Sequence, residues 1–250
     1  MQGDLLMPVW EGQAKALLLE PDDVHIWRAD LHRIDQEKEM DFALPERELL
    51  AAADLKRIID RKRYIASRYM LRSLLGRYTG RNPAELEFTT NSYNKPFLKD
   101  SELQFNLTHS GNIIIIVIGY IKELGIDVEH IEPTIQIFPV IKKVFSPIEI
   151  LELMANKQAQ LLREFYVSWT KKEAYVKAKG KGLSIPLKSF AVASGRDATL
   201  RYSRLYAHDR DTFVFTTFIP AKDFVATAAV SSSYPVFSFY EMVLPSFCLS

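Results

Sequence analysis

Six consecutive aliphatic residues, Ile113–Ile118, stand between the turn residues Gly111-Asn112 and Gly119. A run this short, β-branched almost throughout, is the pattern of a buried strand. It is far too brief for a membrane span, which needs roughly 20 apolar residues. A chain that must hide such a strand needs a substantial core, and 250 residues suffice for one large domain or two of about 120 residues. Charged residues at 25% and hydrophobic ones at 48% are ordinary globular usage. With only 10 glycines and 12 prolines, disordered and collagen-like classes are excluded. The single cysteine, Cys248, forms no internal disulfide and supports no thiolate metal site, which points to a reducing, cytoplasmic home. The start, MQGDLLMPVWEGQ, carries Asp4 and no basic segment ahead of an apolar run, so it does not read as a secretory signal.

The net charge of +1 conceals two opposed blocks. Asp22 to Asp54 is acid-rich, whereas Lys56 to Arg81 holds nine Lys or Arg against the single acid Asp60. Such a basic block is either a solvated helix face or a site for a multiply anionic ligand. Ile58, Ile59, Ile65, Tyr69, Leu71 and Leu75 give it an apolar stripe at helical spacing, stopped by Gly80 and Asn82-Pro83. Short strands are predicted at Leu86–Thr90 and Leu103–Leu107, the latter broken by Thr108-His109-Ser110-Gly111. Gly125–Glu129 reads as the hairpin partner of the aliphatic strand. A helix start is predicted at Pro147, a long helix over 160–179, and further strands at Ser184–Val192, Thr199–Tyr206, Thr212–Thr217 and Phe224–Val230. No internal repeat is visible, and the fold class is mixed α+β with mostly antiparallel strands.

Three carboxylates occupy awkward places. On a strand, Asp127 and Glu129 share one face while Ile126 and Val128 point into the core. Two adjacent carboxylates raise each other's pKa unless a cation intervenes, and Mg²⁺ with its oxygen ligands is the natural remedy. A solvated strand face is the plain alternative. Glu173 lies amid the stripe Leu162, Phe165, Tyr166, Trp169 and Val176, where an ionised carboxylate is costly unless paired or bound to metal. The plain alternative there is an i,i+4 salt bridge to Lys177, with Lys171, Lys172, Lys179 and Lys181 solvated nearby. Thr108-His109-Ser110 offers hydroxyls and an imidazole for an anion-binding turn, and Lys95-Pro96 one fixed ammonium. Metal plus cationic clamps is the apparatus of substitution at phosphorus.

Four ordered motifs then make the chain resemble the 4′-phosphopantetheinyl transferases of the large Sfp-like group, cyanobacterial members included. They are Asn94-Lys95-Pro96, Phe105-Asn-Leu-Thr-His109-Ser, Gly125-Ile-Asp127-Val-Glu129, and Trp169-Thr-Lys-Lys-Glu173-Ala-Tyr-Val-Lys177 with Gly180-Lys-Gly182-Leu183. The resemblance implies transfer of phosphopantetheine from coenzyme A to a serine of an acyl or peptidyl carrier protein, releasing adenosine 3′,5′-bisphosphate. It implies Mg²⁺, with Mn²⁺ as the other candidate, held by Asp127, Glu129 and Glu173. Lys177, Thr108, His109, Lys95 and Arg63 are implied to bind coenzyme A. Arg47 is implied as well, with Arg57 as its alternative because the intervening segment is one residue longer. Glu173, Lys177 and His109 are the implied catalytic set, with Glu173, or a hydroxide it positions, as base. Two similar α/β subdomains about a pseudo-twofold axis are implied, residues 1–125 and 126–250, with the cleft between them and the protein a monomer without nucleic-acid or membrane partners. Two rivals stand beside this reading: a nucleic-acid-binding module built on Lys56–Arg81, and another metal-dependent nucleotide hydrolase.

Overall fold

The computed structural model describes residues 5–12, 18–193 and 197–246, apart from the side chains of Leu183, Asp197 and Ala198. Cys248 and Asp4, and the readings placed on them, lie outside the described residues. The first subdomain contains β1 (Asp23–Asp30), β2 (Asp35–Glu39), α1 (Glu46–Ala53), α2 (Ile58–Thr79), β3 (Phe88–Thr90), β4 (Pro96–Leu98), β5 (Gln104–Ser110) and β6 (Ile113–Gly119). The second contains β7 (Leu124–His130), α3 (Ile137–Val144), α4 (Pro147–Met154), α5 (Gln158–Lys179), β8 (Phe190–Val192), β9 (Asp197–Ser203), α6 (Asp209–Thr212), β10 (Phe213–Phe218) and β11 (Phe224–Ser231). β12 (Val236–Glu241) and β13 (Pro245–Ser246) follow.

Two large sheets, ordered β12-β1-β6-β5 and β7-β11-β10-β9-β8, stand beside the two-stranded pairs β13-β2 and β3-β4. Strand alternation builds the layers. Ile114, Ile116 and Ile118 of β6 face α2, where Ile65, Ala66, Met70 and Leu74 cover them. Ile113, Ile115 and Val117 face the second sheet and meet Ile126, Val128, Ala226 and Ala228. Beyond that sheet, Ala174, Tyr175 and Val176 of α5 pack on Phe213, Phe215 and Ala229. The order is therefore helix, sheet, sheet, helix, and β6 is buried because a core lies on each of its faces.

The halves repeat one topology. In each, the first strand pairs antiparallel with the last, β1 with β6 and β7 with β11, and the last pairs with the strand before it. In each, a 22-residue helix ends in a left-handed glycine, Gly80 at φ 67° and Gly180 at φ 63°. Glycine takes that conformation without the penalty of a Cβ, and so releases the chain from the helix. The repeat survives as strand order and helix length, which explains why no repeated sequence is visible. β12 runs back to pair in parallel with β1, and Phe237 and Phe239 join the core between the sheets.

Four expectations are corrected. β5 continues through Thr108, His109 and Ser110, so these residues lie on a strand and the turn comes only at Gly111-Asn112. β7 is not the hairpin partner of β6; Ile126 and Val128 pack over that strand from the second sheet, and β7 pairs with β11. Ile58 and Ile59 are exposed at the start of α2, outside its buried stripe. Ser184–Val192 yields only the short β8, because Pro186 opens a 3₁₀ turn over Leu187–Ser189.

Candidate active site

β5 and β7 are each an edge strand of one of the two large sheets, and they run side by side where the subdomains meet. α5 lies across β7 in unusually close contact, which Gly125 permits. A Cβ at that position would sit 2.2 Å from the Ala174 carbonyl oxygen and 2.4 Å from the Ala178 nitrogen. This approach brings the next carboxylate onto the helix. Asp127 is buried at 5% exposure, and its Oδ1 accepts from Lys177 Nζ at 2.6 Å. Thr108 Oγ1, on β5, accepts from Lys177 Nζ at 3.1 Å and donates to Asp127 Oδ1 at 3.4 Å. Asp127 Oδ2 is buried with no hydrogen-bond partner. Burial pushes the Asp127 carboxyl up to about 7, opposed by Lys177 and assisted by the charges of Glu129 and Glu173.

Glu129 is held on both oxygens. Trp169 Nε1 donates to Oε1 at 3.2 Å and Ser110 Oγ donates to Oε2 at 3.2 Å. Glu173 is half-buried one helical turn beyond Trp169, and burial followed by the charge of Glu129 raises its carboxyl above the usual range, against the pull of Lys177. The i,i+4 reading is revised: Lys177 spends its hydrogen bonds on Asp127 and Thr108. Lys171 and Lys172 are not solvated either. Lys172 is fully buried and bonds Glu149 at 2.8 Å through both carboxylate oxygens, while Lys171 donates to the Ala193 carbonyl. Lys179 pairs with Glu123 and Asp209.

Among the described residues, no three His, Cys, Asp or Glu side chains are already gathered as a metal cage. The donor chemistry nonetheless fits a hard cation: three carboxylates within electrostatic reach of one another, one of them presenting an orphaned buried oxygen. The Lys177 ammonium supplies the positive charge beside Asp127.

His109 follows Thr108 on β5 with much of its surface open, and desolvation and then the Arg63 charge lower its pKa, keeping the ring neutral near pH 7. Arg63 Nε donates to the Gly111 carbonyl at 3.0 Å, so the guanidinium stands at the β5–β6 turn, beside a cavity of ≈ 440 Å³ also lined by His32 and Lys62. Lys95 donates to the carbonyls of Leu124 and Ala178 at 3.1 and 3.0 Å, and burial lowers its pKa to about 8. Its ammonium thus clips β7 to the end of α5. It also lines a cavity of ≈ 240 Å³ with Tyr93, Pro96, Val176 and Ile185, which Glu173 and Lys177 share. Arg47 is exposed on α1, where its charge acts on Glu87, and none of the contacts at the β5–β7 seam involves it. Much of the basic block is structural: Arg68 and the fully buried Arg72 bond Glu48, Arg72 also donates to the Pro83 and Leu86 carbonyls, and Arg81 bonds the carbonyls of Lys99 and Asp100. Glu48 of the acid-rich segment is thus tied to the basic block through Arg68 and Arg72.

The sequence profile of the 4′-phosphopantetheinyl transferase superfamily matches residues 123–229, and that of a 4′-phosphopantetheinyl transferase amino-terminal domain matches residues 34–119. The 4′-phosphopantetheinyl transferase HetI of Nostoc sp. (strain PCC 7120) is 35% identical over 187 residues, 72% of this chain and 78% of its own length. The chain belongs to the 4′-phosphopantetheinyl transferase superfamily. Within it the chain is Sfp-like and similar to cyanobacterial members. The 4′-phosphopantetheinyl transferase Sfp of Bacillus subtilis (strain 168) is 32% identical over 139 residues, 55% of this chain and 61% of that protein. A holo-ACP-synthase structure from Plasmodium yoelii shares 18% identity, covering 46% of this chain and 97% of its own at TM-score 0.33, too slight a likeness to carry an argument.

Sequence reasoning gave Asn106 no role of its own and read Ser110 only as an anion-binding hydroxyl, whereas both side chains bond β7. Only their alternation with Thr108 on a continuous strand marks them, and that signal was lost by breaking β5 at Thr108.

Proposed function

We propose that this protein transfers the 4′-phosphopantetheine arm of coenzyme A to a serine hydroxyl of an acyl or peptidyl carrier protein, releasing adenosine 3′,5′-bisphosphate. The observation that carries the reading is Asp127, buried at the seam of the two halves with one oxygen on Lys177 and the other free of any partner. Asp127, Glu129 and Glu173 would hold Mg²⁺, which when bound neutralises charge building on the coenzyme diphosphate.

The other roles belong to the chain itself. Lys177 and the Thr108 hydroxyl stand where they can take a phosphate oxygen, and Arg63 and neutral His109 extend this polar surface along β5. Together they would hold the nucleotide so that the β-phosphorus faces the incoming serine in line. The serine oxygen bonds to that phosphorus as the bond to the bridging oxygen breaks, and the nucleotide bisphosphate departs with the electron pair. Glu173, half-buried beside this cleft, would accept the serine proton directly or through a water that it positions. The two halves, divided near residue 125, would supply the two walls of the cleft. Because both walls belong to one chain, the enzyme acts as a monomer, in the cytoplasm. Among the described residues no helix is long and apolar enough to cross a membrane.

The test is incubation with Mg²⁺, coenzyme A and an apo carrier protein, followed by intact mass. The carrier is expected to gain the phosphopantetheine mass, and Glu173→Ala is expected to abolish the gain in a folded protein. Release of inorganic phosphate with every carrier in a varied panel unmodified would replace this reading with a nucleotide hydrolase.

A further inference from the structure

Two sheet edges that run together ordinarily join by a backbone ladder about 4.8 Å wide. β5 and β7 use side chains instead. Asn106, Thr108 and Ser110 occupy alternate positions of β5 and so share one face, opposite Phe105 and Leu107 in the core on α2. Asn106 Oδ1 accepts from the Ile126 backbone N–H at 2.9 Å. Ser110 Oγ accepts from the His130 backbone N–H at 3.0 Å and donates to Glu129 Oε2 at 3.2 Å. The two outer rungs thus fasten β7 immediately before Asp127 and immediately after Glu129, and the middle rung, Thr108, touches Asp127 itself.

We propose that Asn106 and Ser110 are positioning residues: they set β7 against β5 and turn the Glu129 carboxylate so that the acidic cluster can close on its cation. This rests on the reading that Asp127, Glu129 and Glu173 hold a divalent metal. The Ser110 hydroxyl does two things that no backbone group replaces, satisfying the His130 amide and sharing Glu129 with Trp169. Groups that orient metal ligands in this way are typically worth roughly 10- to 100-fold in metal affinity.

The experiment is a Mn²⁺ titration of the full chain without coenzyme A or carrier, following free Mn²⁺ by its EPR signal, alongside the Mg²⁺ dependence of carrier modification. Ser110→Ala should weaken Mn²⁺ binding by about 10-fold or more and raise the Mg²⁺ concentration for half-maximal rate, with kcat at saturating Mg²⁺ within about twofold. Ser110→Thr, which keeps the hydroxyl, should restore both. Asn106→Ala leaves the carboxylates and Ser110 in place and should weaken Mn²⁺ binding in the same direction, so the test does not depend on one variant folding. If the wild-type chain takes up no Mn²⁺, the metal reading itself falls and the inference with it. If the wild-type binds and both alanine variants bind within twofold of it, or Ser110→Thr is as weak as Ser110→Ala, the positioning role is overturned while the metal reading stands.

Discussion

Replacing Gly125 by alanine adds one methyl group to the tightest strand–helix approach of the site. The backbone there is not in the left-handed region, so the substitution tests space alone. The new Cβ would lie 2.2 Å from the Ala174 carbonyl oxygen, and real Cβ contacts do not fall below 3.0 Å, so helix and strand must separate by at least about 0.8 Å. Both obstructing atoms are backbone, and no rotamer change relieves them. Overpacking of this kind costs about 1–3 kcal/mol, which for a chain of this size lowers Tm by roughly 2–12 °C. The separation falls directly between Asp127 on β7 and Glu173 and Lys177 on α5, and a displacement near 1 Å can cost about 100-fold in rate. The assay is carrier modification by intact mass at a temperature where circular dichroism shows the variant folded, together with its thermal melt. A folded variant turning over within about threefold of wild type would refute the claim that this close approach aligns the site.

Two further predictions concern buried charge. Lys172→Met leaves Glu149 buried without its counter-ion, retaining only Ser146 and the Val192 amide, and should lower unfolding stability by about 3–5 kcal/mol in urea. His25 is 4% exposed, shares a hydrogen bond of 2.6 Å between Nδ1 and the Tyr78 hydroxyl, packs against Tyr240, and has its pKa held below 6.5 by burial despite the opposing charge of Asp23. The unfolded chain then binds the extra proton first as pH falls, so this residue makes stability decline below about pH 6.5 until the folded ring also protonates. Urea unfolding of wild type and His25→Phe from pH 7.5 to 5 should show a shallower decline in the variant; equal slopes would exclude His25 as the source.

The elements that could be read from the chain are those whose burial pattern is local. Ile113–Ile118 has apolar residues on both strand faces and was legible as a buried strand, and the Ser146-Pro147 helix start carries its own cap, with the Glu149 side chain reaching back to the Ser146 amide at 2.8 Å. β1 was hidden because its ends, Asp23 and Asp30, belong to an acid-rich segment, although Val24, Ile26 and Trp27 between them are fully buried. The basic block misled for a related reason. Lysine and arginine are ordinarily surface residues, and only the fold reveals that Arg72 in this block, like Lys172 on α5, is matched with a buried glutamate.

The candidate site divides along the same line. Residue order alone determined that Asp127 and Glu129 share a strand face and that Glu173 and Lys177 lie one turn apart on a helix, because side-chain periodicity is a property of the local backbone. Which partner Lys177 takes, which oxygen of Asp127 is left alone, and that Asn106 and Ser110 hold β7 were decided only when two sheet edges met. Such contacts join residues 19 to 69 positions apart, and their distances depend on the packing of both halves rather than on the conformation of either segment.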